Sequence, residues 1–168
     1  MQVDTTLDSA DVARVLTSVA KAYSGLGAPD QALPYCLAAL DMYTRLHGTE
    51  DHVEVATALY NVGRLHSARR TFPTAHRYHA ASLAMQRRLC AASGGADEAL
   101  VRCVVEGARV QVAMGWWIQG AALAWEAHAL ARVVGVFGPQ RQENAQRLRW
   151  CRRVVHYLSS VVTAADGS

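Results

Sequence analysis

The chain repeats itself, and no other feature limits its possible folds as much. Asp11–His52 laid over Glu54–Gly95 pairs Val12 with Val55, Ala13 with Ala56, Leu16 with Leu59, Val19 with Val62, Ala32 with Ala75, Tyr35 with Tyr78 and Leu40 with Leu83, at a constant offset of 43 residues. A third copy begins near Leu100 at an offset of 45, pairing Val62 with Gly107, Gly63 with Ala108, Phe72 with Trp117 and Ala75 with Gly120. Within a copy the apolar positions fall three and four apart, as in Val12, Leu16, Val19 and Tyr23. That is helical spacing, and a strand would alternate. Each copy is therefore a pair of helices, and a pair leaves one face bare until the next pair covers it.

Helix punctuation marks the breaks. Gly25 and Gly27 followed by Pro29, Pro73 near the start of a fourth helix, Gly94-Gly95 and Gly138-Pro139 all stand between periodic segments. Seven helices are predicted near residues 8–25, 29–47, 52–69, 72–91, 96–114, 117–135 and 140–163. The expected organisation is one domain over 1–163, with repeats at about 11–53, 54–98 and 99–139, a capping helix at 140–163 and a disordered tail at 164–168. Small residues recur at matching places. Ala20, Gly63 and Ala108 on first helices and Ala32, Ala75 and Gly120 on second helices let two backbones approach closely, with Tyr23, Leu40, Phe72 and Leu83 filling the space between copies.

Composition agrees with a packed helical domain. With 168 residues, 51% hydrophobic and 18% charged, the chain can bury a sizeable core, and disorder or a collagen-like fibre is excluded. No window reaches the apolar length of a membrane span, and Met1 to Asp11 holds three aspartates and no cation ahead of an apolar run, so neither a membrane segment nor a secretory leader is expected. Cys36, Cys90, Cys103 and Cys151 stand far apart with no Cys-x-x-Cys. They are expected to be reduced thiols of a cytoplasmic protein. The net charge is +3, and of the 17 cationic side chains only Lys21 is not arginine. Arginine suits bidentate carboxylate recognition.

The stretch Ala32-Leu33-Pro34-Tyr35-Cys36, then Ala39-Leu40, Gly48, Asp51-His52 and Val55-Ala56-Thr57-Ala58-Leu59, ending at Asn61, resembles the tetratricopeptide repeat (TPR), most closely the kinesin light chain subgroup with its repeats of about 42 residues. Val53 stands where that subgroup has proline, Tyr60 replaces the first asparagine of its pair, and the third repeat diverges. The coiled coil by which light chains bind kinesin heavy chain is absent from this sequence. The resemblance implies an all-α superhelix of three helix pairs plus the capping helix, no enzymatic chemistry and no cofactor. It also implies a protein-interaction module with an adaptor or scaffold role.

In such superhelices the first helix of each pair faces a concave groove that holds an extended peptide or partner helix. The residue after each small packing position points into it, and here that residue is Lys21, Arg64 and Arg109. Earlier on the same face come Ser18, Asn61 and Glu106, then Arg14, Thr57 and Arg102. The last helix in the same register adds Arg149, Trp150 and Arg153. The expected peptide-binding set is Arg14, Lys21, Asn61, Arg64, Arg102, Arg109, Arg149, Trp150 and Arg153, with Glu106 the acid among them. Its natural guest is an acidic peptide or protein segment, since arginine forks bind carboxylates. Asn61 matches the family position whose amide holds a bound peptide backbone. The carboxylate clamp of chaperone-binding TPRs is mostly broken, with Thr17, Lys21 and Glu106 at its key places.

Other constellations are weaker. His76 and His79 stand at i, i+3 without a third ligand at useful spacing, so no metal is expected. Cys36 reads as a small core hydrophobe, and there is no phosphate loop, HExxH or GxSxG. Trp116, Trp117 and Trp125 read as core filling where helices five and six meet, with one of the adjacent Trp116 and Trp117 pointing away from the other as the exposed alternative. A charge of +3 is low for a nucleic-acid backbone binder, and stacking aromatics do not interleave the cations. The last helix carries two apolar stripes. Leu148, Cys151, Val155, Leu158 and Val162 form one, and Trp150, Val154, Tyr157 and Val161 form another rotated by about 110°. One neighbouring pair cannot cover both, so a homodimer through the second stripe is the alternative assembly reading.

Overall fold

The computed structural model describes residues 10–134 and 149–157. The chain is all-α, with α1 at Ala10–Gly25, α2 at Pro29–His47, α3 at Val53–Ala68, α4 at Phe72–Ser93, α5 at Glu98–Ala113, α6 at Trp117–Val134 and α7 over 149–157. Each of α1 to α6 begins and ends within about two residues of the expected position, because the end signals are chemical. Pro29 sits at the start of α2, where its missing N–H is no loss. Asp97, in extended backbone, accepts a hydrogen bond from the Leu100 N–H at 2.7 Å and caps α5. The Gly138-Pro139 break, the rest of the 140–163 helix and the 164–168 tail lie outside the described residues.

Repetition extends to the turn inside each helix pair. The left-handed residue there is Gly27 at φ 72°, Arg70 at φ 60° and Gly115 at φ 82°, in register with the sequence repeat. Glycine takes that conformation without penalty, whereas the second copy carries an arginine there.

The chain divides into two compact units, Met1–Leu89 and Cys90–Ser168. That division falls within α4 and not at a repeat boundary. In the first unit α1 packs on α2 and α2 on α3. One core cluster gathers Ala13, Ala39, Met42, Tyr43, Val55 and Ala58, and a second gathers Ala20, Ala32, Cys36, Val62 and Leu65. The small positions behave as their spacing implies, since Ala20, Ala32 and Ala75 are all buried. Aromatic pairs repeat with them. Tyr23 stacks on Tyr35 at 5.6 Å, and 43 residues later His66 stacks on Tyr78 at 5.5 Å. Burial beside Tyr78, with the Arg69 cation near, holds the His66 imidazole below its ordinary pKa. Ser82, fully buried on α4, donates to the Ala56 carbonyl of α3 at 2.8 Å.

In the second unit α5 packs on α6. α5 buries Leu100, Val101, Val104, Val105 and Val110, whereas α6 buries only Gly120, Ala124, Ala127 and Ala131. A Cβ built on Gly120 would stand 2.6 Å from Val112 Cγ2 and 3.2 Å from both the Ala108 carbonyl oxygen and the Val112 nitrogen. The two backbones meet at that point. No described helix is long and apolar enough to cross a membrane.

Candidate functional site

A groove runs between α1 and α3 in the first unit. α1 contributes Arg14, Thr17, Ser18 and Lys21, which share one face through their i, i+3, i+4, i+7 spacing, and α3 contributes Glu54, Thr57, Ala58, Asn61, Arg64 and Leu65. Two cavities make it up, one of about 310 Å³ reaching from Arg14 to Asn61 and one of about 210 Å³ reaching from Asn61 to Ser24 and Cys36. Lys21 and Asn61 line both.

Electrostatics in the groove is set by its cations. Lys21 and Arg64 are exposed, and the Arg64 guanidinium lies over the Tyr60 ring at 6.0 Å. Arg14, also exposed, pairs with Asp11 on its own helix. Cys36, at the base of the smaller cavity, has its thiol pKa pushed up by burial, while Arg64 and Lys21 draw it down. Desolvation is the larger of the two effects. The Thr17 and Ser18 hydroxyls donate back to the Ala13 and Arg14 carbonyls at 2.9 Å. Asn61 differs from them. Its Nδ2 is buried with no hydrogen-bond partner, at the junction of the two cavities. A buried amide donor without an acceptor costs free energy until an acceptor arrives.

Arg14, Lys21, Asn61 and Arg64 of the expected set thus come together in one groove, along with Ser18 and Thr57. The sequence reading missed Glu54 and Tyr43, which also line the larger cavity. Glu54 sits near the start of α3, and its Oε2 accepts from His47 Nε2 at 2.8 Å. It lies seven residues before Asn61 on the same helical stripe, so that spacing was available in the sequence.

In the second unit the expected residues are arranged differently. Arg109 is exposed and donates to Glu106 Oε1 at 3.3 Å, but Glu106 itself is only 7% exposed. Glu106 is therefore a buried partner of Arg109, not an open groove acid. Arg102 is half-buried on α5, and on α7 Arg149 and Arg153 are exposed while Trp150 is half-buried. Cys151 is fully buried and its pKa is pushed up to about 11, chiefly by desolvation. That burial agrees with the first apolar stripe of the last helix.

A further reading changes. Trp116, Trp117 and Trp125 are 42%, 50% and 63% exposed, so they are not core filling. The close approach of α5 and α6 through glycine and alanine leaves no room for indoles between them. His79 is 1% exposed, its ring against Gly63 and edge-on to Tyr60 at 5.8 Å, and is a core residue.

The tetratricopeptide repeat family matches residues 11–88. Among solved structures the chain is similar to BtubC (BKLC) from P. vanneervenii, with a TM-score of 0.71 and 17% identity over 98% of this chain and 69% of that one. It is also similar to the nearly identical TPR-like repeats of a Podosopora anserina protein assigned as a kinesin light chain, with a TM-score of 0.70 and 15% identity over 96% of this chain and 79% of that one. At these identities the likeness is one of fold. No curated protein matches the chain by sequence.

Proposed function

Because residues 11–88 are tetratricopeptide repeat, in a fold that generally mediates protein–protein interaction, we propose that the α1–α3 groove binds an extended acidic segment of a partner protein, as a cytoplasmic adaptor or scaffold would. The observation that carries this reading is the buried, unpartnered Asn61 Nδ2 at the junction of two cavities flanked by Lys21 and Arg64. A peptide carbonyl would satisfy the amide, and Asp or Glu side chains would meet the cations. Within the second unit, Arg102 and Arg109 on α5 and Arg149, Trp150 and Arg153 on α7 are proposed as further contacts for acidic segments. The fold family is one of protein-interaction modules.

Fluorescence anisotropy with a labelled Asp/Glu-rich peptide carrying one aromatic residue tests the reading. Micromolar binding is expected, about −8 kcal/mol, falling as salt rises because the pairs are partly exposed. The Lys21→Glu, Arg64→Glu double variant should keep its fold and lose roughly tenfold or more in affinity. Undiminished binding by the folded double variant would refute the proposal.

A second reading, self-association, is favoured by α6. That helix buries its small residues and exposes Ile118 at 81%, Trp125 at 63% and Val133 at 82% on one face, and Tyr157 of α7 is 63% exposed. Exposed large apolar residues on a single stripe mark an interaction surface. Light scattering on the wild type should then give twice 18.2 kDa, and Ile118→Glu with Trp125→Glu should give a folded monomer. A wild type that is monomeric at high concentration removes this reading.

A further inference from the structure

At the junction of α2 and α3 three side chains with metal-ligand chemistry converge. His47 Nε2 lies 2.8 Å from Glu54 Oε2, and His52 Nδ1 lies 3.6 Å from the same oxygen. The two imidazoles stack with centroids 3.5 Å apart and planes within 7°. One ligand atom from each of the three residues lies within 4.8 Å of the other two. We propose that His47, His52 and Glu54 bind a divalent transition metal of the zinc class, joining the end of α2 to the start of α3.

The distances match that chemistry. Ligand atoms on a tetrahedral shell of about 2.05 Å radius stand about 3.3 Å apart, and the two measured separations bracket that value. Two neutral imidazoles and one carboxylate suit zinc, nickel or copper and do not suit calcium or magnesium, which want oxygen. Three protein ligands leave a fourth position for water. The side chains are 22%, 42% and 33% exposed, open enough for an ion to enter. Entry requires the parallel rings to splay so that both lone pairs meet at one point. The ring stack and the His47–Glu54 hydrogen bond give way as the ion enters, and the cap bond from the Glu54 N–H to His52 Nδ1, long at 3.4 Å, is exchanged for the metal. The fold does not depend on the ion. The α2–α3 packing is apolar, so the metal adds to a structure already formed. Tyr43 stacks on His47 at 6.4 Å and supplies an optical reporter.

The test is titration of the full chain, kept reduced with a phosphine, with Co²⁺ followed by visible absorption and with Zn²⁺ followed by calorimetry. One saturable site of micromolar affinity is expected, with ligand-field bands and no thiolate charge-transfer band. His47→Gln and Glu54→Gln should each weaken binding by roughly tenfold or more, while His76→Gln, outside the cluster, binds as the wild type does. Circular dichroism in EDTA checks that every variant is folded. Should a variant unfold, zinc protection of His47 and His52 in the wild type against diethylpyrocarbonate, read by peptide mass, replaces it. Absence of saturable binding, a thiolate band, equal affinity in the folded His47→Gln and Glu54→Gln variants, or no protection of the two histidines overturns the site.

Discussion

Gly120→Leu is expected to lower the melting temperature by roughly 10 °C or more, a loss of about 3 kcal/mol. Even a Cβ at this position would stand 2.6 Å from Val112 Cγ2 and 3.2 Å from two backbone atoms of α5. A β-branched side chain fixed on its own helix has little freedom to move aside, and backbone has less. Three more heavy atoms would force α6 away from α5, and the burial of Ala124, Ala127 and Ala131 would be lost with it. Gly25→Ala is the control. Nothing lies within 4 Å of a Cβ there and its φ is not positive, so stability should change by no more than about 0.5 kcal/mol. Thermal unfolding by circular dichroism reads both, and an unchanged Gly120→Leu melting temperature would show that the helices do not meet so closely.

His79→Ala is expected to cost about 2–4 kcal/mol in the first unit, measured by urea unfolding. The imidazole is almost wholly buried, and its ring atoms would lie 2.9–3.0 Å from a Cβ on Gly63. Gly63→Ala alone should therefore cost about 1–3 kcal/mol through overpacking. Combined, the two changes should cost less than their sum by about 1 kcal/mol, because the added methyl enters space that the ring has vacated. Strict additivity would contradict a tight contact between these residues. In the first copy Ala20 occupies the place of Gly63. The glycine of the second copy is thus explained by the size of the ring across from it.

Several features of the groove were readable before any coordinates. Arg14, Ser18, Lys21, Thr57 and Asn61 share one surface because a helix of 3.6 residues per turn brings i, i+4 and i+7 together, and the repeat offset carries that register from α1 to α3. Glu54 lies on the same stripe, but the repeat pairs it with Asp11 at the head of α1 and not with a groove cation. The fate of Glu106 was not readable. Its position on the wheel equals that of Asn61, yet its side chain is buried and holds Arg109, an outcome set by what covers α5.

The helices, their ends and their repetition follow from the order of the residues. Those properties rest on local chemistry: apolar spacing, proline and glycine at the breaks, a capping aspartate before α5, and a turn that wants left-handed backbone. Which face of a helix is covered follows from packing against its neighbours. α6 has a large apolar face and a small one, and hydropathy predicts burial of the tryptophans. Close packing chose the small face, because glycine lets the α5 and α6 backbones meet at Gly120 while indoles would hold them apart. The His47–His52–Glu54 cluster has the same origin. Its members flank a turn with no metal-binding spacing, and they converge because the end of α2 and the start of α3 fold back on each other.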